Sequence, residues 1–172
     1  MDVVALAHIG PGLIVASPLI YAGVTKLLEP SRFVSAMPRY FLPVFITRDR
    51  RAARAVGLFE LGVAASTLVV AAATTAALLA LTYLVLTIAV ARAWGRGSRG
   101  DCGCFGSAGG EIGIAAVVRN AMLSAGCTAL ALARAAGFAG NYDTASAGAA
   151  LALVVLVAGA IDVLLQFGGQ PA

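Results

Sequence analysis

Residues 55–90 read AVGLFELGVAASTLVVAAATTAALLALTYLVLTIAV and carry a single charge, Glu60. As one α-helix the run would be about 54 Å long at 1.5 Å per residue. The hydrocarbon core of a bilayer is about 30 Å thick, and tilt does not absorb the excess. The run therefore predicts two crossings, residues 52–72 and 75–93, with the turn near Ala73-Thr74-Thr75. Working outward, Val3 to Leu28 predicts a first crossing, residues 3–28, kinked near its middle by Gly10, Pro11, Gly12 and Pro18. Residues 112–136 and 145–167 supply a fourth and a fifth. Asp2, with no Lys or Arg before Lys26, lacks the positive flank of a cleavable signal, so the first crossing reads as uncleaved.

The whole composition agrees with this pattern. Of 172 residues, 60% are apolar and 12% charged, about half the ~25% usual in a soluble domain. Mean hydropathy is +0.94. A water-soluble fold of this size cannot bury that much apolar surface. The expected class is all-α: one membrane domain over residues 1–172, a helical bundle of about five transmembrane helices, four forming a core plus one. A disulfide-stapled secreted scaffold, a disordered chain and a conventional soluble enzyme are excluded.

Two polar stretches interrupt the apolar pattern. Residues 29–51 mix Glu29, Arg32, Arg39, Arg48, Asp49, Arg50 and Arg51 with Phe33, Met37, Tyr40, Phe41 and Phe45, the composition of a linker lying along the lipid–water interface. Residues 94–111 form a loop that carries two of the three cysteines. The net charge of +4 reflects topology rather than nucleic-acid binding, since no such motif is present. Of the twelve Lys and Arg, only Arg134 falls away from these two stretches and their flanks. Positive residues favour the cytoplasmic side. They predict a multi-pass protein of the cell membrane with its N-terminus outside and both the cysteine loop and the C-terminus cytoplasmic.

The chemistry-bearing motif is Asp101-Cys102-Gly103-Cys104-Phe105-Gly106. Gly103 lets the chain turn tightly between the two cysteines, which can bring their sulfurs within disulfide distance. So small a ring is strained and easily reduced, and Arg96 and Arg99 favour the thiolate. Three readings fit the pair: a redox dithiol, a soft site for Cu(I) held by two thiolates, and small cysteines packed in a turn. Closed zinc sites want four ligands, and the single histidine, His8, falls at the other end of the bundle. No cofactor is implied, though Cu(I) at the thiolates and a quinone in the bundle remain compatible with the sequence. Cys127, about 22 Å along a helix from Ile112, reads as a packing residue.

Three polar features fall within the spans. Glu60 and Lys26 both lie toward the cytoplasmic ends of their helices and are expected to pair, because an isolated charge in hydrocarbon is costly. The pair reads either as a packing device or as a proton relay or pocket wall. Asp162 can reach the interface. Arg119 can snorkel to headgroups, hold the cysteine loop or meet an anionic partner, with Asn120 beside it.

Several of these segments resemble a known family. Tyr21-Ala-Gly-Val-Thr-Lys26-Leu-Leu-Glu-Pro30 is similar to the end of the first helix of DoxX-like membrane proteins. Glu60 after a basic linker, Cys102-Gly-Cys-Phe-Gly106 and Arg119-Asn120-Ala-Met-Leu123 resemble the MauE branch, the methylamine-utilisation membrane proteins. The resemblance implies a redox-associated bundle that supports maturation of an exported protein, in MauE the disulfide-rich small subunit of methylamine dehydrogenase. It places Cys102 and Cys104 as the redox pair, with Gly103, Phe105, Gly106, Arg119, Asn120, Lys26 and Glu60 around them and a thiol-containing partner protein beyond. The alternative is a noncatalytic membrane scaffold subunit of an enzyme complex. A cytoplasmic cysteine loop would draw on a reduced thiol donor; an inverted orientation would put the chemistry outside.

Overall fold

The computed structural model describes residues 3–40, 49–70, 72–103 and 110–137, with the side chains of the first helix from Gly10 onward. The predicted fifth crossing, 145–167, with Asp162, lies outside the described residues. Those described form five α-helices and no strand: α1 (Val3–Leu28), α2 (Pro30–Ala36), α3 (Arg50–Val69), α4 (Ala73–Gly95) and α5 (Ile114–Ala135), with a 3-10 turn at Met37–Tyr40 after α2. Four of these, α1, α3, α4 and α5, are long and apolar enough to cross a membrane. The expected all-α membrane bundle is thus observed.

The helices associate as two close pairs, α1 with α3 and α4 with α5, while α3 and α4 touch less extensively. In a membrane, close packing and interhelical hydrogen bonds must replace the hydrophobic drive between helices. The first pair shows the packing. A Cβ on Gly23 would fall 2.8 Å from the Gly57 carbonyl oxygen, and a Cβ on Gly57 equally close to that of Gly23. Only paired glycines allow this backbone approach. Polar ties join the rest: the Tyr83 hydroxyl donates to the Val15 carbonyl at 2.9 Å and Ser124 Oγ to that of Ala80 at 3.0 Å.

The turn between α3 and α4 falls at 70–72 rather than at the expected 73–75. The two threonines that suggested a turn stand in the first turn of α4. Thr75 Oγ1 donates to the carbonyls of Val70 and Ala72 at 2.8 and 2.9 Å, holding the crossing from inside the helix. At the same end Arg134 donates to the Ala72 carbonyl at 3.4 Å. Arg134 is thus a strap between α5 and the α3–α4 turn. The first crossing passes through Pro11 and Pro18 as one helix; backbone groups freed by proline can be re-satisfied in membrane bundles.

Two apolar clusters fill the interior. One, at mid-bundle, joins Val15, Leu19, Val63, Leu79, Tyr83, Leu123 and Cys127. The other lies under the cysteine loop and joins Ala22, Val90, Ala93, Cys102, Ile112 and Ala116. Large apolar side chains outside these clusters, among them Phe59, Leu81, Leu84 and Val85, face outward, as a lipid-contacting surface requires.

Candidate functional site

The cysteine loop is a short hairpin between α4 and α5. Asp101 and Glu111 form an antiparallel bridge, and the backbone closes with Cys102 N–H to Gly110 carbonyl at 3.2 Å and Ile112 N–H to Gly100 carbonyl at 2.8 Å. The Asp101 carboxylate accepts the Gly103 N–H at 2.8 Å, an aspartate-capped turn of the kind that competes with regular structure. Asp101 therefore organises the backbone at the cysteine motif. Gly103 sits at φ +66°, and a Cβ there would meet Ala36 Cβ at 2.5 Å. Its conformation and its contact both demand glycine.

The hairpin is clamped by the linker, for which the sequence predicts only an interfacial position. Tyr40 donates its hydroxyl to the Cys102 carbonyl at 2.7 Å, Arg39 donates to the Asp101 carbonyl at 3.2 Å, and Ser98 Oγ donates to the Arg39 carbonyl at 2.9 Å. Arg32 Nε lies 3.6 Å from the Asp101 carboxylate. Arg32, Arg39 and Tyr40 are site residues that the sequence did not single out as such. Their only signal was an aromatic and two arginines in a stretch too polar to span the bilayer. The two polar stretches thus meet at one end of the bundle.

Cys102 is fully buried beneath this clamp. Cys104, Phe105 and Gly106 lie outside the described residues. Cys127 is as deeply buried as Cys102 but belongs to the mid-bundle cluster, apart from it. Among the described residues, no three of His, Cys, Asp and Glu gather as metal ligands would.

Below the hairpin lies a polar layer. Lys26 Nζ contacts both Glu60 carboxylate oxygens, at 2.9 and 2.7 Å, with each side chain 2% exposed. The expected pair is present. Lys26 also donates to the Ala22 carbonyl at 3.4 Å and lies 5.1 Å from the centroid of the Phe33 ring. Ala22 is a member of the Cys102 cluster, and the Phe33 Cα would lie 3.6 Å from a Cβ on Gly103. The ammonium is therefore tucked under the hairpin. Arg119, next to Asn120 on α5, is half-buried. Asn120, one turn along α5 from Ala116, is fully buried, and neither its Oδ1 nor its Nδ2 has a hydrogen-bond partner.

No curated protein and no solved structure matches the chain. The family model described as "Methylamine utilisation protein MauE" matches residues 3–134. The matched stretch takes in all four long helices, nearly to the end of α5, together with the clamped hairpin and the buried ion pair. This multi-pass membrane protein belongs to the MauE family of methylamine utilisation proteins.

Proposed function

We propose that the protein is a thiol–disulfide redox component of the cell membrane, acting through Cys102 and Cys104 in the maturation of an exported or redox protein within methylamine utilisation. The observation that carries this reading is the built turn at Asp101-Cys102-Gly103. A carboxylate, a positive-φ glycine and a tyrosine hydroxyl all act on the backbone at Cys102 and Gly103, so the first half of the Cys-Gly-Cys motif is held in a defined turn. In this reading the partner first meets Cys104. Its thiolate would attack a disulfide of the partner protein, forming a mixed disulfide and releasing one partner thiolate. Cys102 would then displace the second partner sulfur, leaving a Cys102–Cys104 disulfide and a partner dithiol. The reverse sequence oxidises a partner dithiol. The charge distribution favours a cytoplasmic loop and an outside N-terminus.

Thiol trapping of membranes with and without oxidant tests the reading. The expected result is that Cys102 and Cys104 lose and regain alkylation together; full alkylation of both under oxidant challenge would overturn it.

The complete burial of Cys102 favours a second reading, a noncatalytic scaffold subunit whose cysteine packs a hairpin against the bundle. Replacing both cysteines by serine separates the two. A scaffold still supports the disulfide content and yield of the exported target, whereas a redox component does not.

A further inference from the structure

We propose that the outward face of α4, with its groove against α3, is the docking site for residues 145–167 of this same chain, seated parallel to α4 with Asp162 against Arg92. The surface comes first. Leu78, Leu81, Val85 and Ile88 are 41% to 58% exposed. They recur at steps of three, four and three residues, the spacing of a helix seam that receives a neighbouring helix. Arg92 continues the series four residues on, and it forms no ion pair among the described residues. Beside the seam lies a cavity of about 350 Å³, to which Val56 and Phe59 of α3 give the facing wall. Its lining is almost wholly apolar, which suits hydrocarbon side chains. Left open, such a concavity forfeits dispersion contacts on one side.

Three features select the occupant. The first is where α5 delivers the chain. Arg134, in its last turn, donates to the Ala72 carbonyl at 3.4 Å, so the chain leaves α5 beside the α3–α4 turn. A crossing that starts there runs in the same direction as α4. The second is register. Gly148, Leu151, Val155, Ala158 and Asp162 repeat the spacing of Leu78, Leu81, Val85, Ile88 and Arg92, and each keeps the same offset from its counterpart. The small residues Gly148 and Ala158 then oppose the bulky Leu78 and Ile88, which lets the two backbones approach. The third is charge. Asp162 is the one charged residue in 145–167, and a carboxylate among hydrocarbon needs a partner. It falls about 26 Å along a helix from residue 145, and Arg92 about 29 Å along α4 from Ala73. The two charges reach one depth when both helices start at the α3–α4 turn. An acyl chain in the groove leaves Asp162 without this partner. Glu60 also lines the groove, so the docked segment seals the Lys26–Glu60 pair from lipid. The inference stands apart from the chemistry of the cysteines.

The test is oxidative crosslinking of the full chain in membranes of the expressing cell, in a Cys102→Ser/Cys104→Ser background that leaves only the buried Cys127. Under copper phenanthroline, Leu81→Cys/Leu151→Cys and Val85→Cys/Val155→Cys are each expected to form a disulfide within one chain. The rate should exceed at least about tenfold that of Leu81→Cys/Leu153→Cys, whose second cysteine stands on another helix face and out of bridging range. Leu81 and Val85 face outward, so their variants leave the core intact, and the two pairs report independently. Arg92→Leu leaves Asp162 unpaired and is expected to slow both crosslinks several-fold, while Arg92→Leu/Asp162→Leu restores them. Three results would each overturn the proposal: crosslinking no faster than in the off-face pair, as a lipid-filled groove gives; crosslinks only between two copies, as a dimer gives; or rates indifferent to Arg92→Leu.

Discussion

Cys102 and Cys127 are equally buried, yet they are buried by different means. Cys127 stands within α5, in the same buried cluster as Leu123, Tyr83 and Leu19. Exposing it requires helices to separate. Cys102 stands in a hairpin whose cover depends on the Tyr40 hydroxyl, Arg39 and one glycine contact. Exposing it requires this hairpin to lift from α2, the 3-10 turn and the helix ends beneath it, a local opening that costs less than global unfolding. Equal burial therefore does not mean equal reactivity: opening at Cys102 must overcome a few polar contacts and its packing on Ala22, Val90, Ala93, Ile112 and Ala116, and opening at Cys127 the contacts of the bundle.

The largest effect that tests this contrast is expected at the ion pair beneath both regions. Lys26→Met leaves Glu60 buried without its cation and should destabilise the bundle by about 3–5 kcal/mol, raising alkylation of Cys102 and Cys127 together. The double variant Lys26→Met/Glu60→Met should restore stability to near the parent level. Thermal unfolding in detergent, followed by circular dichroism, checks both. If the double variant is as damaged as the single, the pair does more than neutralise itself.

Gly103→Ala comes next. The new methyl meets Ala36, and a positive φ costs an alanine about 1–2 kcal/mol. In a Cys104→Ser background under reductant, Cys102 alkylation should rise at least about tenfold while Cys127 alkylation and the unfolding temperature stay unchanged. Equal acceleration at both cysteines would erase the distinction between the two kinds of burial.

Tyr40→Phe is the finest probe. It removes one hydroxyl from the Cys102 carbonyl, worth about 1 kcal/mol, and should speed Cys102 alkylation several-fold in the same background without altering the fold. No change would shift the clamp to Arg39 and to the packing of Gly103.

Much of this was legible in the chain itself. The apolar run 55–90 is too long to cross once, so a tight turn within it followed from arithmetic, although its place shifted because threonine side chains can close a turn from inside a helix. Pairing of Lys26 with Glu60 followed from the cost of charge in hydrocarbon. The Tyr40–Cys102 and Arg39–Asp101 contacts were not legible, because they join residues 62 apart that carry no local pattern. The same holds for Asn120, whose burial without a hydrogen-bond partner has no signal in its residue type or spacing.

What the sequence determined by itself is the solvent and the class: uncharged runs of helical length can satisfy their backbone in a bilayer only as helices, and basic flanks group the polar stretches at one end. What only the tertiary structure decided is how the cysteine hairpin is held and which polar groups face one another in the interior. Those depend on side chains far apart in the chain arriving at the same few ångströms, and short-range hydrogen bonding and packing reveal themselves only after the helices have met.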